Sequence, residues 1–129
     1  MNVVLDSWAV LTLLEHGPGA ERVAQELERR PRMSWINLGE VLYILTRRHG
    51  TSEAEETVRD LRRTLTVELP SEAVVRRAGG IKAAHRMAYA DAFAAATAVL
   101  HGAQLWTGDP ELLVADAPWR PVDLRASPA

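Results

Sequence analysis

Apolar positions along the chain fall into two kinds of run. Short stretches such as NVVL carry no polar alternation, the mark of a strand covered on both faces. Longer segments place apolar residues every three or four positions, the mark of a helix with one buried stripe, as at Val23 and Leu27. The first kind predicts strands over Met1–Leu5, Arg32–Ile36, Thr66–Leu69 and Ala103–Thr107, with a candidate last strand at Pro121–Leu124. The second predicts helices over Ser7–Glu15, Ala20–Arg30, Asn37–His49 and Ser52–Leu65, from Ser71 to about His85, and over Ala88–His101. A short helix is expected at Glu111–Ala115, opened by Gly108-Asp109-Pro110. The punctuation agrees with this division. Gly17-Pro18-Gly19 breaks the chain, Gly50 and Gly102 stop helices, Pro70 ends a strand, and Gly79-Gly80 weakens the helix it interrupts. The tail Arg125–Ala129 is expected to fray. Short apolar strands alternating with helices imply a mainly parallel sheet with helices on both faces, an α/β fold. Such sheets take ligands at the carboxyl ends of their strands, so the residues following each strand become the candidates for chemistry.

Composition narrows the classes without choosing among them. At 129 residues the chain fits one domain, residues 1–129, with core enough to need no covalent staples. It has no cysteine, which excludes disulfides and thiolate metal sites and is compatible with a reducing, cytoplasmic setting. No run is long and apolar enough for a membrane span, and the opening segment lacks the basic region of a signal peptide. The net charge of −2 is unlike that of a domain built mainly to grip nucleic acid, so any RNA affinity must come from local patches or from a metal.

Four acids stand where strands end or the following helices begin. Asp6 follows the first strand and Asp109 the fourth. Glu40 falls in the first turn of the helix after the second strand, and Asp91 in the first turn of the alanine-rich helix. Asp91 is the single charge in MAYADAFAAATAVL. A helix apolar nearly all round is buried, and a buried lone carboxylate is costly unless a cation sits beside it. Its place near a helix N-terminus contributes only about 0.3–1 kcal/mol. Carboxylates gathered without His or Cys suit Mg²⁺ or Mn²⁺, which can ready a water for attack on a phosphodiester. Each acid also has a purely structural role open to it. Asp6 can cap the following helix, Asn37-x-x-Glu40 has the spacing of a capping box, and Asp109 before Pro110 makes a helix cap. Asp91 can be a plain surface acid.

The residues around these acids resemble the PIN-domain family. VVLDSWAVLTLL is similar to the family's opening, INLGEVLYIL to its second motif, AYADAFAAATA to its third and LWTGDPELL to its fourth. The spacings of 34, 51 and 18 residues between the acids fit, and the match runs from Val3 to about Leu113. The resemblance implies a three-layer α/β/α sandwich around a central, mainly parallel sheet, and a Mg²⁺- or Mn²⁺-dependent endoribonuclease. It implies Asp6 and Asp91 as the main metal ligands, with Glu40 and Asp109 completing the acidic pocket. Thr107 matches a hydroxyl position before the fourth acid, able to bond a carboxylate or a water, and Ser7 stands in a similar relation to the first. The short chain suits the VapC-type toxins, which implies a cytoplasmic homodimer neutralised by a VapB-type antitoxin and acting on RNA.

Other readings stay open at this point. A phosphatase of the haloacid-dehalogenase type needs a second aspartate at position 8, which is Trp8. A receiver domain needs a lysine near its last strand, and the single lysine, Lys82, lies in a helix. A DNA-directed nuclease shares the pocket chemistry, and a non-catalytic module could use the acids to hold a partner's arginine. The pairs Arg47-Arg48, Arg62-Arg63 and Arg76-Arg77, with Lys82 and Arg86, offer an RNA path or simply solvated helix faces. The four histidines are scattered, mostly at helix ends, and none is assigned to catalysis; the four tryptophans suit core or dimer contacts.

Overall fold

The computed structural model describes residues 2–126. Five strands form one sheet: β1 (Val3–Leu5), β2 (Arg32–Ser34), β3 (Thr66–Glu68), β4 (Gln104–Thr107) and β5 (Arg120–Asp123). Between them run α1 (Ser7–Glu15), α2 (Ala20–Glu26) with a closing 3₁₀ turn at Leu27–Arg29, α3 (Trp35–His49), α4 (Thr51–Arg62), α5 (Glu72–Ala84) and α6 (Tyr89–Leu100). The strand order is β3-β2-β1-β4-β5, and every neighbouring pair is parallel.

That order follows from chain connectivity and handedness. From β1 to β3 the chain steps one way across the sheet, and from β3 it returns past β1 to β4. Parallel crossovers are right-handed, so reversing the direction of travel changes the face on which the helices lie. The core divides accordingly. Val3, Leu5 and Trp106 pack with Val10, Val23, Leu38, Val41 and Val58, from α1 to α4. Val4 and Leu105 point the other way and pack with Val74, Ile81, Phe93 and the alanines of α5 and α6. Successive strand residues thus serve opposite cores, which is why NVVL shows no alternation. The result is the expected α/β/α sandwich. It places a topological switch point between β1 and β4, whose carboxyl ends carry Asp6 and Thr107-Gly108-Asp109.

Most predicted elements match within one or two residues; α4 ends at Arg62, three residues short of the expected Leu65, and the departures at α3 and after β4 have clear causes. The second strand stops at Ser34, and α3 begins two residues before the predicted start at Asn37. Ser34 is the cap, its hydroxyl accepting the Ile36 amide at 3.2 Å. Asn37 lies inside the helix and Glu40 in its second turn, so the capping-box reading of that pair is overturned. The expected helix over Glu111–Ala115 is a series of turns. The Leu112 and Leu113 amides bond back to the Asp109 and Pro110 carbonyls. Trp119 Nε1 then takes the Leu112 carbonyl at 2.9 Å, a group that a continuing helix would use itself. Gly79 and Gly80 do not interrupt α5. Of the tail expected to fray, residues 127–129 lie outside the described residues, and Arg125 is paired with Asp123. No helix among the described residues is long and apolar enough to cross a membrane.

Candidate active site

Asp6 is set by the end of β1 and the start of α1. It is buried, and its Oδ1 accepts the Ala9 amide at 2.8 Å, so it does cap the helix. Its other oxygen accepts the hydroxyl of Thr107, itself wholly buried. The same hydroxyl accepts the Asp109 amide at 3.0 Å, so Thr107 ties the loop after β4 to the carboxylate after β1. Between them, Gly108 has Trp8 laid against its backbone: a Cβ there would lie 2.3 Å from the indole ring. Capping and membership of the site therefore coexist in Asp6. Ser7 is buried at the start of α1.

Asp91 is the third residue of α6 and is 6% exposed. Its carboxylate, with those of Asp109 and Glu111, presents oxygens all within 4.8 Å of one another. Asp109 also accepts the Glu111 amide at 2.9 Å, so the turn that replaces the expected helix brings the exposed Glu111 back toward Asp91. Glu111 is a member of the cluster that the sequence did not single out. Glu40 reaches the group from α3. Its charge acts on both Asp6 and Asp91, and its Oε1 is buried with no hydrogen-bond partner among the described residues. Asn37, one turn earlier on α3, is fully buried; its Nδ2 donates to the Ala90 carbonyl at 3.0 Å, next to Asp91.

The electrostatics are those of like charges held together out of water. Burial pushes Asp6 up to about 7, against the lowering effect of Thr107 and the Ala9 amide, and Asp109 and Glu40 raise it further. Burial likewise pushes Asp91 up to about 8, helped by contact with the Asp109 carboxyl and by the charges of Asp6 and Glu40. The four acids expected from the sequence are thus brought together at the switch point, with Thr107 bridging two of them. The donor set fits a hard divalent cation: it is carboxylate oxygen throughout, burial and like charge lift two of the acids to about neutrality or above, and the buried Glu40 Oε1 has no partner among the described residues.

Among the arginine pairs, Arg48 meets Glu15, Arg76 meets Glu72, and Arg62 lies over the Trp35 ring. Lys82 donates to the Met87 carbonyl at 2.7 Å. Trp106 and Trp119 are buried, Trp8 and Trp35 half-buried.

Residues 3–118 match the family model of the PIN domain, and the chain belongs to that family. Solved structures share the fold over nearly their whole length. The DNA-bound VapBC of Salmonella typhimurium superposes with a TM-score of 0.78 at 19% identity, covering 96% of this chain and 98% of that one. VapBC-1 of nontypeable Haemophilus influenzae gives 0.77 at 22% identity, covering 98% and 100%. VapC20 of Mycobacterium tuberculosis, a Sarcin-Ricin loop cleaving toxin, gives 0.70 at 20% identity, covering 93% and 100%. No curated protein matches the sequence.

Proposed function

We propose that this protein is a divalent-metal-dependent endoribonuclease, the toxin of a type II toxin–antitoxin pair, working in the cytoplasm as a homodimer. The observation that carries the reading is the meeting of Asp6, Glu40, Asp91 and Asp109 at the β1/β4 switch point, where burial and like charge leave the ionised carboxylates in want of a cation. Mg²⁺ or Mn²⁺ would be held by Asp6 and Asp91, with Asp109 and Glu40 directly or through water. Once bound, it would supply charge neutralisation at the scissile phosphate and a more acidic water for in-line attack.

The protein's own groups have separable tasks. Thr107 fixes one Asp6 oxygen and the Ala9 amide the other, which holds the carboxylate in one orientation. Glu40, with a free Oε1, orients the attacking water and can take its proton. The burial of Asp6, Thr107 and Asp91 strengthens each of these interactions. A VapB-type antitoxin as partner is supported by the VapBC complexes that share this fold along nearly the full chain.

The test is incubation of the purified protein with total RNA and Mg²⁺, with and without EDTA, followed by mapping of cleaved ends. Cleavage at defined sites, lost with EDTA and in Asp6→Asn, is expected. Intact RNA together with no calorimetric Mn²⁺ binding would overturn the reading in favour of an inert module, and cleavage of DNA alone would move the substrate.

A further inference from the structure

Asn37 is a fully buried polar residue that neither caps a helix nor belongs to the acid set. Its amide nitrogen donates to the Ala90 carbonyl at 3.0 Å. This bond settles which way the carboxamide faces, because only the nitrogen can donate to a carbonyl. The Oδ1 therefore faces away from Ala90, and it has no hydrogen-bond partner among the described residues. Glu40 Oε1 is in the same condition. The two residues are three apart on α3, hence neighbours on one helix face; Asn37 meets the start of α6 at Ala90, and the charge of Glu40 acts on Asp91 there. Two unpaired buried acceptors on one face leave a donor wanting, and native structures rarely tolerate this. A water has two hydrogens to give, and Mg²⁺ keeps several of its waters when bound by carboxylates.

We propose that Asn37 is a positioning residue of this site. Its Nδ2 bond to Ala90 sets the approach of α3 to α6, and hence of Glu40 to Asp91. Its Oδ1, together with Glu40 Oε1, accepts the hydrogens of one water in the cation's hydration shell. The inference rests on the metal-dependent reading above and adds a residue to it. Asn37 touches neither the reacting phosphate nor the cation; it holds a group that does.

The test replaces Asn37 by Leu, close in volume and free of unpaired polar atoms, and by Ser, which is smaller and keeps a hydroxyl. Mn²⁺ affinity is measured by calorimetry on folded protein, beside urea stability in EDTA and the separate kcat and KM for RNA. We expect Asn37→Leu to unfold at the same or a higher urea concentration than wild type, yet to bind Mn²⁺ roughly 10–100-fold more weakly. Its loss of cleavage should lie in kcat, with KM little changed. Asn37→Ser should recover part of the Mn²⁺ affinity. A merely structural Asn37 gives the opposite pattern in either variant: lower stability with Mn²⁺ affinity unchanged, and that result overturns the proposal. If Asn37→Leu does not fold, unchanged Mn²⁺ affinity in folded Asn37→Ser overturns it equally. Failure of the wild-type protein itself to bind Mn²⁺ would instead sink the metal-dependent reading, so the two failures are distinguishable.

Discussion

Replacing Asp91 by Asn should end cleavage and, without metal, make the protein more stable at alkaline pH. In the fold, Asp91 is lifted from its ordinary 3.8 to about 8, mainly by burial and then by the Asp109 carboxyl. Between those two values the folded chain keeps a proton that the unfolded chain has released. Stability therefore falls as pH rises across that window, by up to about 1.4 kcal/mol per unit, and the loss is complete above the higher value. The whole span corresponds to an upper bound of roughly 5–6 kcal/mol. Part of the crowding comes from Asp109, Asp6 and Glu40, and a neighbour can hold the proton when Asp91 gives it up. The gain from Asn should accordingly be smaller, about 2–3 kcal/mol. The amide can also donate toward the Asp109 carboxylate it now opposes. The assay is urea unfolding in EDTA, followed by tryptophan fluorescence, at about pH 4.5 and about pH 9. At the acid end, variant and wild type should agree within about 0.5 kcal/mol. At the alkaline end the variant should be the more stable. Mn²⁺ at about a hundred times its Kd should then add about 2.7 kcal/mol to the wild type, and much less to the variant. A wild-type stability that is flat across this range, or a variant weaker than wild type at alkaline pH, would refute the argument that the acids are crowded and unrelieved.

Binding of Mn²⁺ should expel protons from Asp6 and Asp91, so affinity should climb as pH rises through about 7 and about 8; calorimetry in buffers of different ionisation enthalpy detects this, and identical heats in all of them would count against it. Thr107→Val keeps the shape but strips partners from Asp6 Oδ2 and the Asp109 amide. It should cost about 1–3 kcal/mol in urea unfolding and lower kcat, and unchanged kcat would remove Thr107 from the site. Gly108→Ala drives a methyl into the Trp8 indole, so about 1–3 kcal/mol of stability and the Trp8 emission should both shift, whereas an unaltered spectrum would mean the ring yields freely.

The α/β alternation, the parallel sheet and the strand-end positions of Asp6 and Asp109 were all legible in the chain, because each follows from local patterning and from general rules of handedness. So was the isolation of Asp91, since a single charge in an alanine-rich helix is visible without coordinates. Asn37 shows where that legibility stops. Its spacing to Glu40 suits a helix cap, but two caps competed and Ser34 won. Burial against α6, with a bond to Ala90 53 residues further on, put Asn37 to another use. Glu111 was hidden for a related reason. Its approach to Asp91 depends on a turn held by Trp119, where the local residues read as a helix. Which acids cap, which are crowded, and which oxygen is left without a partner are properties of packing between distant segments. Periodicity reports the face a residue occupies; only the tertiary structure decides what stands opposite it.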